Sequence, residues 1–338
     1  MDRTVFSSTA LGFVVAALVF AGMFWLLDTE TVVTAVTQAD LVLVALVGVT
    51  VLLWNLSWGV ALWNVLRALD VDVPIRIAIL VNAAGAFVNH VSPFGQAGGE
   101  PVTAYLLTRS AETEYEVNLA SVASLDAIHV IPSLSFATIG VSYYATTTTI
   151  GPGLEVLFTS IVVLAICTPV VAIVLWRRRT SIERRVAALL TSLLRTVAPV
   201  VPRLSAPDDG AVAERVGGFV RALEVVAADR RRLVAAIGFS AGGWAIQAVG
   251  LWIAFLAVGA PIPLSLPFFV VPIGTMASVV PTPGGLGGIE VVNVTLITLL
   301  TGISGGTVAV AVTMHSVGGY LLTTAVGAAA TTVLGVRY

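Results

Sequence analysis

Lysine is absent from this chain: all 17 basic residues are arginine. GC-rich and halophilic prokaryotic genomes, archaeal ones included, produce that bias. Cysteine is nearly absent too. The lone Cys167 excludes an internal disulfide and any cysteine-built metal site, and its apolar surroundings make it simplest as a small core residue. Three scattered histidines with no metal spacing argue against zinc. Neither a G-x-S-x-G elbow nor a Walker A sequence occurs, so there is no case for hydrolysis or ATP drive. The expectation is a non-enzymatic protein with no cofactor, no metal and no nucleic-acid partner. Charge itself is scarce, 11% of residues against about 25% in soluble domains. With 57% hydrophobic residues and a mean hydropathy of +0.99, the chain is an integral cell-membrane protein.

What is abundant is long apolar runs. Spans are expected at 5–27, 40–66, 117–145, 152–176, 233–258 and 306–334, each long enough for the ~20 residues that a crossing helix needs. The run ending at Leu27 is too long for a signal-peptide core and lacks a small-residue cleavage site before Asp28, so it is expected to be retained. Arginine placement sets the orientation. Arg177, Arg178, Arg179, Arg184 and Arg185 precede, and Arg230, Arg231 and Arg232 follow, one connecting insert, 177–232, which is therefore cytoplasmic. It divides into a basic segment 181–198, a linker 199–210 and an amphipathic segment 211–229. Arg3 and Arg337 place both termini inside, and the loop 28–39, without arginine, lies outside.

Two further apolar regions, 77–110 and 264–302, are broken by glycine and proline. Counting crossings puts both ends of the first inside and both ends of the second outside. Each is then a re-entrant helical hairpin, with tips at 92–100 and 281–288. The expected fold is all-α: one polytopic membrane domain over 1–338, six full spans plus two broken hairpins. Residues 1–150 form a first half with hairpin 77–110. Residues 151–338 form a second with insert 177–232 and hairpin 264–302. Both halves run span, span, hairpin, span in opposite orientations, the inverted-repeat plan of many secondary transporters.

The tips carry the candidate binding residues. The first holds Asn89, His90, Pro93, Gly98, Gly99 and Glu100; the second Pro281, Pro283, Gly284, Gly285, Gly287, Gly288 and Glu290. Broken backbone at membrane depth must be buried in protein or face a water-filled cavity, and an ionisable group there points to function. Glu100 and Glu290 are either carboxylates capping a helix start or sites for a proton, a cation or a basic headgroup. The glycine-turn amides suit a phosphate, or the glycines serve close packing. Asp126 and His129 lie three apart and share a helix face, as a proton relay or a satisfied interior pair. His315 lies mid-span, a ligand or helix–helix glue. Trp54 and Trp58, one turn apart, line a lipid groove or simply pack.

The blocks Asn89, Pro93, Gly98-Gly99-Glu100, Ala104, Leu106-Leu107 and Pro281-x-Pro283-Gly284-Gly285-Leu286-Gly287-x-x-Glu290 resemble those of the flippase-like family that includes the membrane domain of lysylphosphatidylglycerol synthases. Departures fall at Thr103 and His315, where that family commonly has arginine. The 338 residues hold no counterpart of the soluble lysyl-transferring domain or of the fused glycosyltransferase of some relatives. The resemblance implies movement of a phosphate-bearing lipid, a phospholipid or a polyprenyl-phosphate-linked sugar, with membrane lipids as partners. The alternative is a membrane anchor or regulator of a separate glycosyltransferase or lipid synthase, docked through 177–232.

Overall fold

The computed structural model describes residues 3–25, 29–92, 96–111, 113–147, 152–197, 209–279 and 282–335. Among these it is helical throughout, with no strand. The first half comprises α1 (Arg3–Trp25), α2 (Thr29–Thr37), α3 (Leu41–Ala68), α4 (Ile75–Val91), α5 (Gln96–Ala111) and α6 (Tyr115–Thr147). The second comprises α7 (Pro152–Arg177), α8 (Arg179–Val197), α9 (Asp209–Ala228), α10 (Arg230–Ala257), α11 (Ser265–Met276), α12 (Gly288–Thr301) and α13 (Gly305–Val333). Among the described residues, five stretches are long and apolar enough to cross a membrane: Leu41–Ala68, Tyr115–Tyr144, Arg230–Ala257, Pro283–Thr301 and Gly305–Val333. The remaining two expected spans fall on α1 and α7, helices of 23 and 26 residues.

The glycine-proline stretches interrupt helices where expected. Helices α4 and α5 have 17 and 16 residues, about 24–26 Å at 1.5 Å per residue, short of the ~30 Å hydrocarbon core. Helices α11 and α12 have 12 and 14, about 18 and 21 Å, and are joined by two single 3-10 turns, Ala277–Val279 and Pro283–Gly285. Pro283–Thr301 therefore qualifies as a span only by adding that turn to α12.

Two expectations need correction. The segment 28–39, expected as a loop, contains α2, packed on α13 where Thr31 and Val32 lie against Gly306. Cys167 is exposed on α7, not a core residue. In the insert, α8 packs on α9 and α9 lies along α6, tied by Arg179–Glu224 and by Arg215–Glu116 at 3.2 Å. Most of the expected linker, 198–208, lies outside the described residues.

The centre of the bundle is the pair α3/α10, the most extensive helix contact. They run antiparallel. Asp40 N–H at the start of α3 donates to Ala257 O at the end of α10 (2.9 Å), Ser57 Oγ to Phe239 O at mid-length (2.7 Å), and Arg232 Nη1 at the start of α10 to Asn64 Oδ1 near the end of α3 (3.4 Å). Asp40 also caps α3, its Oδ1 accepting from Val42 N at 2.8 Å.

The turns leaving these two helices are built alike. Asp70 (φ 54°) and Gly259 (φ 70°) sit in the left-handed region just after α3 and α10. Val71 N–H then donates to Leu66 O, and Ala260 N–H to Phe255 O, both at 3.0 Å, closing Schellman turns. Trp63 Nε1 donates to Val73 O and Trp252 Nε1 to Ile262 O, both at 3.1 Å. Pro74 and Pro263 start the next helical turns, accepting from Ile77 N and Leu266 N. Each pair is separated by the same number of positions in sequence. Because α3 and α10 are antiparallel, the two turns lie at opposite ends of the bundle.

Candidate functional site

Each broken pair closes on a glycine. In α4/α5, Gly99 N–H donates to Asn89 Oδ1 (2.7 Å), and a Cβ on Gly99 would stand 2.2 Å from that oxygen. Thr103 Oγ1 donates to Gly99 O (2.8 Å) and presses on Gly85. In α11/α12, Asn293 packs on Gly274, its Oδ1 2.0 Å from where a Cβ would be, but that oxygen has no hydrogen-bond partner among the described residues. The first hairpin also reaches the second. The rings of His90 and Tyr320 stack at 4.1 Å, Tyr320 Oη donates to His90 O (2.9 Å), and Gly284 lies against both rings. His90 Nδ1 is 2.7 Å from Thr324 Oγ1 on α13.

Between the two hairpins, the α3/α10 pair, α6 and α13 lies a cavity of about 560 Å³. Of the residues singled out from sequence, Asn89, His90, Glu100, Asp126, His129, Gly284, Glu290 and His315 line it. Gly99, Pro283, Gly285, Gly287 and Gly288 are not on its wall and shape the turns behind it. Gly98 lies in the first turn of α5. Pro93 and Pro281 lie outside the described residues.

The two glutamates do different work. Glu290 is 1% exposed and accepts from Gly287 N–H at 2.6 Å, with Ser316 as a second hydrogen-bond partner. It is the cap of α12, and Gly287 needs its φ of 89° for that loop. Gly285 N–H donates to Thr282 O and Leu286 N–H to Pro283 O. Three amides of the glycine turn thus already have acceptors, and packing is the role that the geometry fills. Glu100 sits beyond the first turn of α5, and its carboxyl is in hydrogen-bond contact with that of Asp126. Asp126 and His129 share the cavity wall but make separate bonds: His129 Nδ1 is 2.7 Å from Ser240 Oγ on α10.

His315 is 6% exposed, 5.6 Å from the Trp54 ring, with Nε2 unpaired. Trp58 packs on His129 (5.1 Å) and on Trp244 (5.9 Å). Both Trp54 and Trp58 line the cavity. Sequence reading missed Asn82, Trp244, Gln247, Asn293, Ser316 and Tyr320, which also line it. They stand singly inside apolar helices, and a polar residue in such a run was the one available signal.

An all-helical membrane bundle with two broken hairpins around a polar cavity defines the class. Residues 9–327 match the family described as the lysylphosphatidylglycerol synthase TM region, and the chain belongs to that family. It is 24% identical over 333 residues, 95% of this chain and 94% of the relative, to a UPF0104 membrane protein of the archaeon Methanothermobacter thermautotrophicus (strain Delta H). A second UPF0104 membrane protein of the same organism is 27% identical over 293 residues, 82% of this chain and 78% of that protein.

Proposed function

We propose that the protein is a transporter of the flippase type, not an enzyme, and that it moves a phosphate-bearing lipid across the membrane. The cargo class is a phospholipid or a polyprenyl-phosphate-linked sugar. The observation that carries this reading is the polar cavity walled by both hairpins inside an apolar bundle. Polar and ionisable groups are costly at that depth, and a passage for a polar headgroup is what repays them. The headgroup passes through the cavity while its chains stay in the bilayer. The Glu100–Asp126 pair holds a proton or a counter-cation during passage.

Matching turns at opposite ends of an antiparallel pair support an inverted repeat, in which α4/α5 and α11/α12 are re-entrant from opposite faces. One half then rocks against the other to alternate access. The arginine-flanked insert and both termini lie on the cytoplasmic side in this arrangement.

The test is lipid translocation in proteoliposomes with fluorescent phospholipid and polyprenyl-phosphate lipids. Wild type moves at least one class, and Glu100→Gln slows it by about tenfold or more, the weight of one charged hydrogen bond. Folded protein that moves neither class defeats the transport reading and favours an anchor for a separate glycosyltransferase or lipid synthase.

A further inference from the structure

The cavity wall contains three carboxyl side chains and, among the described residues, no arginine or lysine. A phosphate seated inside would face Glu100 and Asp126 without a countercharge. An ammonium would suit those carboxyls, but it only donates hydrogen bonds. The wall also holds uncharged polar groups without partners among the described residues. The side-chain amides of Asn82 and Gln247, which both donate and accept, line the cavity with no hydrogen bond to another described side chain.

A hydroxyl is the uncharged group that donates to a carboxylate and accepts from an amide. Aromatic faces complete the match, because Trp54, Trp58 and Tyr320 offer flat apolar surface to the C–H face of a sugar ring. The volume of about 560 Å³ falls within the roughly 300–1,000 Å³ of small-molecule sites. We propose that this cavity binds an uncharged polyhydroxyl headgroup, a sugar or polyol, and that the lipid's phosphate stays outside it. The proposal rests on the transport reading for its lipid anchor and on the wall chemistry for its headgroup.

The test uses the full chain in phosphatidylcholine nanodiscs, titrated with octyl glucoside below its micelle-forming concentration, octylamine, octyl phosphate and free glucose. Octyl glucoside binds about tenfold tighter or more than the amine or the phosphate, the weight of one or two hydrogen bonds. Gln247→Leu, which keeps the size and loses the amide, weakens glucoside binding by about tenfold, and Trp176→Phe, outside the cavity, leaves it unchanged. Tighter binding of octylamine that disappears in Asp126→Asn would overturn the proposal in favour of a cationic headgroup. Preference for octyl phosphate, or no binding of any probe by folded protein, would overturn it too. Free glucose binding as well as octyl glucoside keeps the sugar assignment and removes the lipid anchor. Translocation of a sugar-free phospholipid without glucoside binding leaves the transport reading and removes this one; glucoside binding without translocation does the reverse.

Discussion

Two glutamates that look equivalent in sequence part company at the level of single hydrogen bonds. Glu290 closes the start of α12 on Gly287 N–H, whereas Glu100 caps no amide among the described residues and faces another acid. Glu290→Ala leaves a buried N–H without an acceptor and lowers stability by about 1–3 kcal/mol. Glu100→Ala costs less, because it also ends the crowding of two carboxyls. Thermal unfolding of both variants in nanodiscs checks this, and equal losses would remove the distinction. Gly99 gives a second residue-level case. A methyl there would lie 2.2 Å from Asn89 Oδ1 and 2.7 Å from Gly85 O, so Gly99→Ala forces α4 and α5 apart. The expected cost is about 1–3 kcal/mol, read from the same unfolding curves.

The elements show how much could be read beforehand. Helix positions followed from apolar runs, and both hairpin breaks from Pro and Gly, because backbone chemistry punctuates a sequence visibly. The matching turns after α3 and α10 were hidden. Asp70 and Gly259 share a left-handed conformation but not a side chain, and Trp63 and Trp252 bond to carbonyls, which leave no sequence trace. Much of the candidate wall was hidden for a similar reason, since Asn82 and Gln247 carry no motif and only folding brings them to one cavity. The turns make their own prediction. Nothing lies within 4 Å of a Cβ on Gly259, so Gly259→Ala suffers only the left-handed strain, about 1–2 kcal/mol. Asp70→Gly relieves such strain and is stabilising. Denaturant titration of the two variants should give opposite signs; the same sign would mean that the turns are not equivalent.

At the scale of the whole molecule, the antiparallel α3/α10 pair decides whether the halves oppose each other across the membrane. Its two ends carry the twin turns, one beside Asp72 and the other beside Pro261, and both residues are exposed. Alternating access by rocking needs these ends on opposite faces of the bilayer. Replacing Cys167 by Ser leaves a cysteine-free background in which single cysteines at Asp72 and Pro261 can be reached by a membrane-impermeant maleimide. Asp72→Cys should react only from the cytoplasmic face, where Arg67 and Arg76 flank it, and Pro261→Cys only from the outer face. Labelling of both from one side would make α3/α10 something other than a spanning pair, and the rocking mechanism would lose its axis. Labelling from opposite sides leaves the cavity at mid-depth between two inverted hairpins, where a headgroup can be handed from one face to the other without its chains leaving the lipid.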